Sequence, residues 1–305
     1  MARIIKAYTP LAEDQLLFRS MEGTEALSQL FCFTVDLLSP NASINMKSLL
    51  GKPLTLEILT LDGAPRYLNG YITKMAMLGR DEASERYYVY QAEVCPGLWY
   101  LTRTTDYKIF QRMSVVEILD EVFKEYGFAV EKQLSASYRQ WEYCVQYAET
   151  DFNFVSRLMA HEGIYYFFKH DKDGHTLVLA DDMGAHPVLP EYAQIGYLSY
   201  DQGGNQGREC IDKWQVTEEI QPGAYVVDDF NFKMPKADLM EQQRQPQGTE
   251  HDQYEIYEWL GGYSEGDQGR HYALHPYATA ICDRSRTRAR ASRCHHKNRS
   301  TSVCK

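Results

Sequence analysis

Ala148-Glu149-Thr150-Asp151-Phe152-Asn153-Phe154-Val155-Ser156-Arg157-Leu158-Met159, followed after two residues by Glu162-Gly163-Ile164-Tyr165-Tyr166-Phe167, changes its period at the glycine. Before Gly163, the apolar residues Phe154, Val155, Leu158 and Met159 recur at helical spacing, and the Thr150 hydroxyl stands where it can accept the backbone N–H of Asn153. The text therefore predicts a helix that opens after Thr150 and stops at Gly163. Behind it, residues 164–169 and 176–180 are short apolar runs on either side of Asp171-Lys172-Asp173-Gly174, the signature of a strand, a turn and a second strand. A helix that feeds straight into a hairpin is the kernel of an α+β unit.

The text upstream has the same character. Ser114 opens a capping box with Glu117, and Val115, Ile118, Leu119, Val122, Phe123 and Tyr126 form one apolar face that ends at Gly127. Residues 106–180 thus read as a small α+β insertion. On its N-terminal side the period falls to two: Phe31, Phe33, Val35 and Leu37 alternate with Cys32, Thr34 and Asp36, and Leu54, Leu56 and Ile58 alternate with Thr55 and Glu57. Further strands are expected around 67–78 and 87–94, with the charged stretch 79–86 as the loop between them. Residues 1–105 are therefore expected to form a first antiparallel β-barrel or sandwich. Strand character returns after 180, around Trp214 and Val216, 225–227, and Phe230 with Phe232, punctuated by Gln221-Pro222-Gly223 and Gly261-Gly262. This makes 181–272 a second β-rich domain, with the polar run 240–252 expected as an exposed loop. Past Tyr272 the periodicity disappears. The fold class is β-rich α+β.

Composition agrees and excludes several classes of function. The chain has 305 residues, 44% hydrophobic and 24% charged, with 23 Tyr and 12 Phe, the balance of an ordinary globular protein leaning towards sheet. Residues 281–305 carry eight Lys/Arg against Asp283 alone, so residues 1–280 hold the remaining 24 basic side chains against 41 acidic ones. Such a body repels a phosphate backbone, and nucleic acid is not expected as a partner. No apolar run reaches the roughly 20 residues that cross a bilayer, and the N-terminal text has no signal-peptide core, so synthesis in the cytoplasm without an integral membrane segment is expected. Seven Cys at scattered positions offer no disulfide framework and read as free thiols.

Chemistry-bearing constellations are few. The neighbouring carboxylates Asp181-Asp182, Glu218-Glu219 and Asp228-Asp229 do not describe two groups held across one cleft, which general acid–base work needs. The sequence has no H-E-x-x-H and no P-loop. Cys282, Cys294, His295, His296 and Cys304 have the residue types for zinc but not the spacing that lets two ligands chelate from one turn. His161, His170 and His175 fall on the expected helix and hairpin with no second ligand at ligand spacing, which reads as solvated or core imidazoles. No catalytic residue, cofactor site or metal site is assigned.

The opening stretch resembles a signature of the VgrG and phage tail-hub superfamily. Six further motifs resemble it in the same order: Glu25-Ala26-Leu27-Ser28 with Phe31; Gly51-Lys52-Pro53-Leu54; Asn69-Gly70-Tyr71-Ile72-Thr73; Pro96-Gly97-Leu98-Trp99-Tyr100-Leu101; Ile109-Phe110-Gln111; and Tyr257-Glu258-Trp259-Leu260-Gly261-Gly262-Tyr263. Together they cover about residues 5 to 272. The resemblance implies two similar tube-type β-barrel domains separated by α+β pieces, a homotrimer whose six barrels make a pseudo-hexameric ring, and a ring that stacks on the hexameric Hcp tube. It implies baseplate and effector proteins as further partners, export by the type VI secretion machine, and mechanical work in place of catalysis. Family members usually continue into an OB-fold and a long needle, and here 273–305 is a divergent basic tail, read as disordered or frameshifted text. The alternative is a prophage tail hub or a truncated adaptor no longer competent for secretion.

Overall fold

The computed structural model describes residues 5–59, 65–186, 222–244, 248–270 and 272–273, with shorter pieces at 194, 196–197, 209–215, 220, 246 and 288–293. Six strands open the chain: β1 (Ile5–Tyr8), β2 (Leu17–Thr24), β3 (Cys32–Ser39), β4 (Pro53–Leu59), β5 (Pro65–Asp81) and β6 (Ser84–Cys95). They form one antiparallel sheet in the order β1-β4-β5-β6-β3-β2. The predicted alternation is met in β3, where Phe33, Val35 and Leu37 are buried between more exposed neighbours. Register shifts interrupt the β2–β3 and β5–β6 ladders, and such bulges add twist. The sheet curls until its edge strands β1 and β2 run close together without a ladder between them. The residues 79–86 do not form the expected long loop. The strands continue through them, and only Glu82 and Ala83 make the turn, because charged side chains on a projecting ribbon stay in water whether or not its backbone is paired.

The middle of the chain supplies β7 (Thr105–Phe110), β8 (Met113–Ser114), α1 (Val115–Lys124), β9 (Ala129–Gln133), β10 (Gln140–Trp141), β11 (Cys144–Thr150), α2 (Asp151–His161), β12 (Tyr165–His170) and β13 (His175–Ala180). Both helices have the expected caps. The Ser114 hydroxyl accepts the Glu117 amide at 3.3 Å while the Glu117 carboxylate accepts the Ser114 amide at 2.7 Å, and the Thr150 hydroxyl accepts the Asn153 amide at 3.1 Å. Gly127 and Gly163 take φ of 67° and 72° beyond the helix ends, a conformation that costs glycine nothing. Ser114→Ala is expected to lower stability by about 1 kcal/mol, measured as a fall in the urea midpoint with an unchanged slope.

Asp151 joins the two helices. Fully buried at the start of α2, it accepts from Tyr126 Oη at 2.5 Å and from Gln146 Nε2 at 2.7 Å. Burial first, and then this hydrogen bond, push the Tyr126 phenol up to about 12. The expected boundary between 105 and 106 is not a gap in packing. Leu16, Phe31, Val35, Leu54 and Ile72 of the barrel and Ile118, Leu119, Phe154, Leu158 and Leu177 of the insertion lie in one hydrophobic core.

Two imidazoles seal that junction. The Gly97 amide donates to His175 Nε2 at 2.9 Å, so Nε2 is unprotonated and the Nδ1 hydrogen goes to Asn69 Oδ1, also at 2.9 Å. The Asn69 amide donates to His170 Nδ1 at 3.0 Å, and His170 Nε2 faces Glu25 Oε1 at 3.3 Å. Burial, then the neighbouring His170, push the His175 pKa down to about 4. Thr55, expected on the outer face of its strand, is buried instead, because the hairpin lies over it. Its hydroxyl donates to Lys172 O at 3.1 Å and accepts from Asn69 Nδ2 at 2.6 Å.

The later part contains β14 (Glu209–Gln215), β15 (Ala224–Asp228), β16 (Glu241–Arg244), β17 (Glu255–Trp259) and β18 (Arg288–Arg293). Strand β15 is central, antiparallel to β16 and parallel to β17. A second core of Tyr225, Val227, Leu239, Tyr263, Tyr272 and Ala273 lies under it. One expectation is corrected here. The polar run 240–252 is not wholly a loop, since Glu241–Arg244 completes a ladder whose hydrogen bonds are made by the backbone whatever the side chains. Within 273–305, read from the sequence as a disordered or frameshifted tail, residues 288–293 are described as β18, antiparallel to β14. Phe230 and Phe232 lie outside any strand and are exposed. Among the described residues no helix is long and apolar enough to cross a membrane.

Candidate functional site

The candidate catalytic carboxylates have structural work. Asp181 accepts the Ser135 and Ala136 amides at 2.9 and 2.7 Å and the Tyr138 hydroxyl at 2.8 Å. Burial alone would raise its pKa, but the amide hydrogen bonds from Ala136 and Ser135 and the Tyr138 and Ser135 hydroxyls outweigh it and hold the carboxyl below its usual range. Asp229 accepts the Gly262 and Tyr263 amides at 2.7 and 3.1 Å. Glu218 and Glu219 lie outside the described residues, as do Cys282, Cys294, His295, His296 and Cys304. Among the described residues no three His, Cys, Asp or Glu side chains converge as metal ligands. A surface hollow of about 370 Å³ is lined by Ser114, Val116, Lys132, Leu134, Ala136 and Tyr138, which does not bring a base and a nucleophile together.

The chain does, however, present apolar surface to solvent. In the β7–β11 ribbon, Phe110, Cys144 and Gln146 point into the core, so their neighbours Tyr107, Ile109 and Tyr147 point out. Tyr107 is 66% exposed and Tyr147 75%, and their rings meet edge to face at 5.4 Å. A bulge between Gln146 and Glu149, with Ala148 at φ 51°, sets the Tyr147 direction. Arg157 stiffens the ribbon from behind through Glu149 Oε1 at 2.7 Å and Val145 O at 2.7 Å. Tyr143, just before β11, is exposed too.

The second surface is the β17 edge. All five of its side chains are exposed, and among the described residues it pairs on one side alone, with β15. Ile256, Tyr257 and Trp259 stand on this edge, and Leu260 follows at 69% exposure. Exposed apolar surface next to an unpaired ladder is a ready template for another chain.

The two surfaces are held on one body by a clamp that no sequence motif announced. Arg139 Nε donates to Tyr272 Oη at 2.6 Å and Nη1 to Gln268 Oε1 at 3.3 Å, and Nη2 also donates to Gly262 O. The guanidinium lies 4.4 Å from the Trp141 ring centre and 5.3 Å from that of Tyr272. Glu162 Oε1 accepts from Trp141 Nε1 at 3.0 Å and from Tyr272 Oη at 3.2 Å, and the His161 ring packs on Tyr272 at 4.2 Å. Burial, then the Glu162 charge, push the Tyr272 phenol up to about 12. The glycines of Trp259-Leu260-Gly261-Gly262-Tyr263 have a reason here. A Cβ on Gly261 would come within 2.3 Å of the Tyr263 ring and 2.6 Å of Val227, and Gly262 takes φ 75° as the chain turns back to Arg139.

The family model described as phage tail baseplate hub matches residues 24–296, a range that runs past Tyr272, where the sequence reading ends the family-like text. Over 291 residues the chain is 36% identical to the type VI secretion system spike protein VgrG1a of Pseudomonas aeruginosa, covering 95% of this chain and 45% of that protein. Over 272 residues it is 37% identical to VgrG1c of the same organism, covering 89% of this chain and 37% of the relative. The chain thus spans less than half the length of these curated relatives. Among solved structures, a tail protein from Neisseria meningitidis superimposes with a TM-score of 0.62 at 14% identity, covering 97% of this chain and 82% of the other.

Proposed function

The chain belongs to the phage tail baseplate hub family, and from that premise we propose that it is the hub part of a type VI secretion spike, a structural component whose work is mechanical. In this reading three copies close a ring of six β-rich units that caps the hexameric Hcp tube, contacts the baseplate and carries effector proteins outward. The chain is made in the cytoplasm and leaves the cell through the same machine.

The observation that supports it is the pairing of two unlike apolar surfaces on one chain, the Tyr107–Tyr147 ribbon and the β17 edge, fixed to one body by Arg139. A closed ring needs heterologous contacts, one patch meeting a different patch on the next copy, and obligate interfaces of this kind commonly bury over about 2,000 Å². The identities of 36% and 37% to type VI secretion spike proteins support the secretion context over a prophage one.

Sedimentation of the purified chain, alone and with Hcp, is the test. A trimer that co-sediments with Hcp is expected, and Tyr107→Glu combined with Tyr147→Glu is expected to give a monomer with the circular dichroism spectrum of the wild-type chain, since both side chains are exposed. A wild-type chain that stays monomeric at tens of micromolar with Hcp present would sink the proposal. Assembly with a phage tube protein in place of Hcp would move the protein to the tail-hub reading.

A further inference from the structure

Cys32 opens β3 and Cys95 closes β6. The β3–β6 ladder pairs Phe33 with Val94, Thr34 with Glu93 and Val35 with Ala92, so one step further along the same register sets Cys32 opposite Cys95. Opposed residues of an antiparallel pair have Cα atoms about 4.5–5.5 Å apart, inside the range of about 4.4–6.8 Å that a disulfide spans. The side chains are already turned towards each other. Cys95 Sγ lies 3.7 Å from Cys32 Sγ with its S–H directed at it, and the Thr73 hydroxyl sits 3.4 Å from Cys95 Sγ. The two thiols differ in access, Cys32 being exposed and Cys95 buried.

We propose that Cys32 and Cys95 are a redox pair that closes into a cross-strand disulfide when the folded chain meets a low-molecular-weight disulfide such as oxidised glutathione. Exposure makes Cys32 the entry point. Its thiolate attacks one sulfur of oxidised glutathione, the glutathione S–S bond breaks, one glutathione thiolate leaves, and Cys32 carries the other half as a mixed disulfide. Cys95 then gives its proton to solvent base and attacks Cys32 Sγ, and the second glutathione thiolate departs. Two protein thiols are oxidised and one glutathione disulfide is reduced to two glutathiones. Burial, the largest influence on the Cys95 thiol, pushes its pKa up to about 12, which protects it from direct attack on the oxidant and makes its own attack on Cys32 Sγ the slow step.

The bond would join β3 to β6 where Cys95 also pairs with Tyr71 of β5, two residues before the Gly97 amide that holds His175. It therefore restrains the end of the curled sheet on which the α+β hairpin is seated. A chain kept reduced in a glutathione-buffered compartment would stiffen at this point on reaching an oxidising one.

The test treats the full, folded chain with oxidised glutathione, blocks free thiols and maps tryptic peptides. Cys32 lies in peptide 20–47 and Cys95 in peptide 87–103, each with a single cysteine. A linked 20–47/87–103 pair is expected, together with an upward shift of the melting midpoint that dithiothreitol reverses. Cys95→Ser is expected to stop at the glutathione adduct on Cys32, and Cys32→Ser to leave Cys95 unmodified in the folded chain. Wild-type protein whose Cys32 remains glutathionylated beside a free Cys95, or whose Cys32 links instead to another cysteine, would overturn the proposal without needing either variant to fold.

Discussion

Phe154→Ala is expected to lower the stability of the chain by about 3–5 kcal/mol, read as a shift of the denaturant midpoint. Phe154 is fully buried, its ring stacks on Phe110 at 5.5 Å, and the Arg157 guanidinium lies 5.0 Å from its centre. Truncation removes aromatic area from the place where β7, β11 and α2 meet, in a core that continues into the barrel, so no loop can collapse into the space. Tyr147→Ala is the control: the same strand pair carries it, but it points into solvent, and its effect on the isolated chain should stay within about 0.5 kcal/mol. Equal midpoints for the two variants would mean that α2 does not pack as described.

Acid should weaken the fold in a defined window. His175 has a folded pKa of about 4 against an ordinary value of 6.5. Folding therefore favours the neutral ring, and the sign follows: this contribution is complete above pH 6.5 and is lost as the pH falls towards 4. The shift corresponds to about 3 kcal/mol across the window. The physical cause is burial first and the neighbouring His170 second, and a proton on Nε2 would in addition confront the Gly97 amide. Stability measured by denaturant titration at steps between pH 7 and pH 4 should fall steeply, and His175→Gln should flatten the slope. An unchanged slope in that variant would assign the acid sensitivity to other groups.

Local signals made the two helices legible. Ser114, Glu117, Thr150, Gly127 and Gly163 act within a turn of their own position, so caps, faces and stops could be read without knowing the fold. Alternation exposed β3 for the same reason. What could not be read depends on residues far apart in the chain. Thr55 is buried because Lys172 lies over it, His170 and His175 are fixed by Asn69 and Gly97, and Arg139 finds Tyr272 across 133 positions. None of these has a period. The charge of 79–86 and the glutamines of 241–244 misled, because polarity reports solvent and not the absence of a backbone ladder. The register of Cys32 with Cys95 was not visible: Phe33 read as part of an alternating strand and 87–94 as another strand, but nothing local says that the two are neighbours.

The β5–β6 ribbon has a practical use. Strand β5 runs for 17 residues and β6 for 12, and they meet at Glu82 and Ala83, both exposed. At about 3.3 Å per residue β5 alone is some 50 Å long. Next to the turn, Asp81 is buried against Arg19 of β2 at 3.0 Å, which ties the end of the ribbon to the neighbouring edge of the sheet. A peptide grafted between Glu82 and Ala83 would therefore be displayed on a turn whose flanking strand is already tied down, the natural position for an epitope or a fluorescent label on this scaffold.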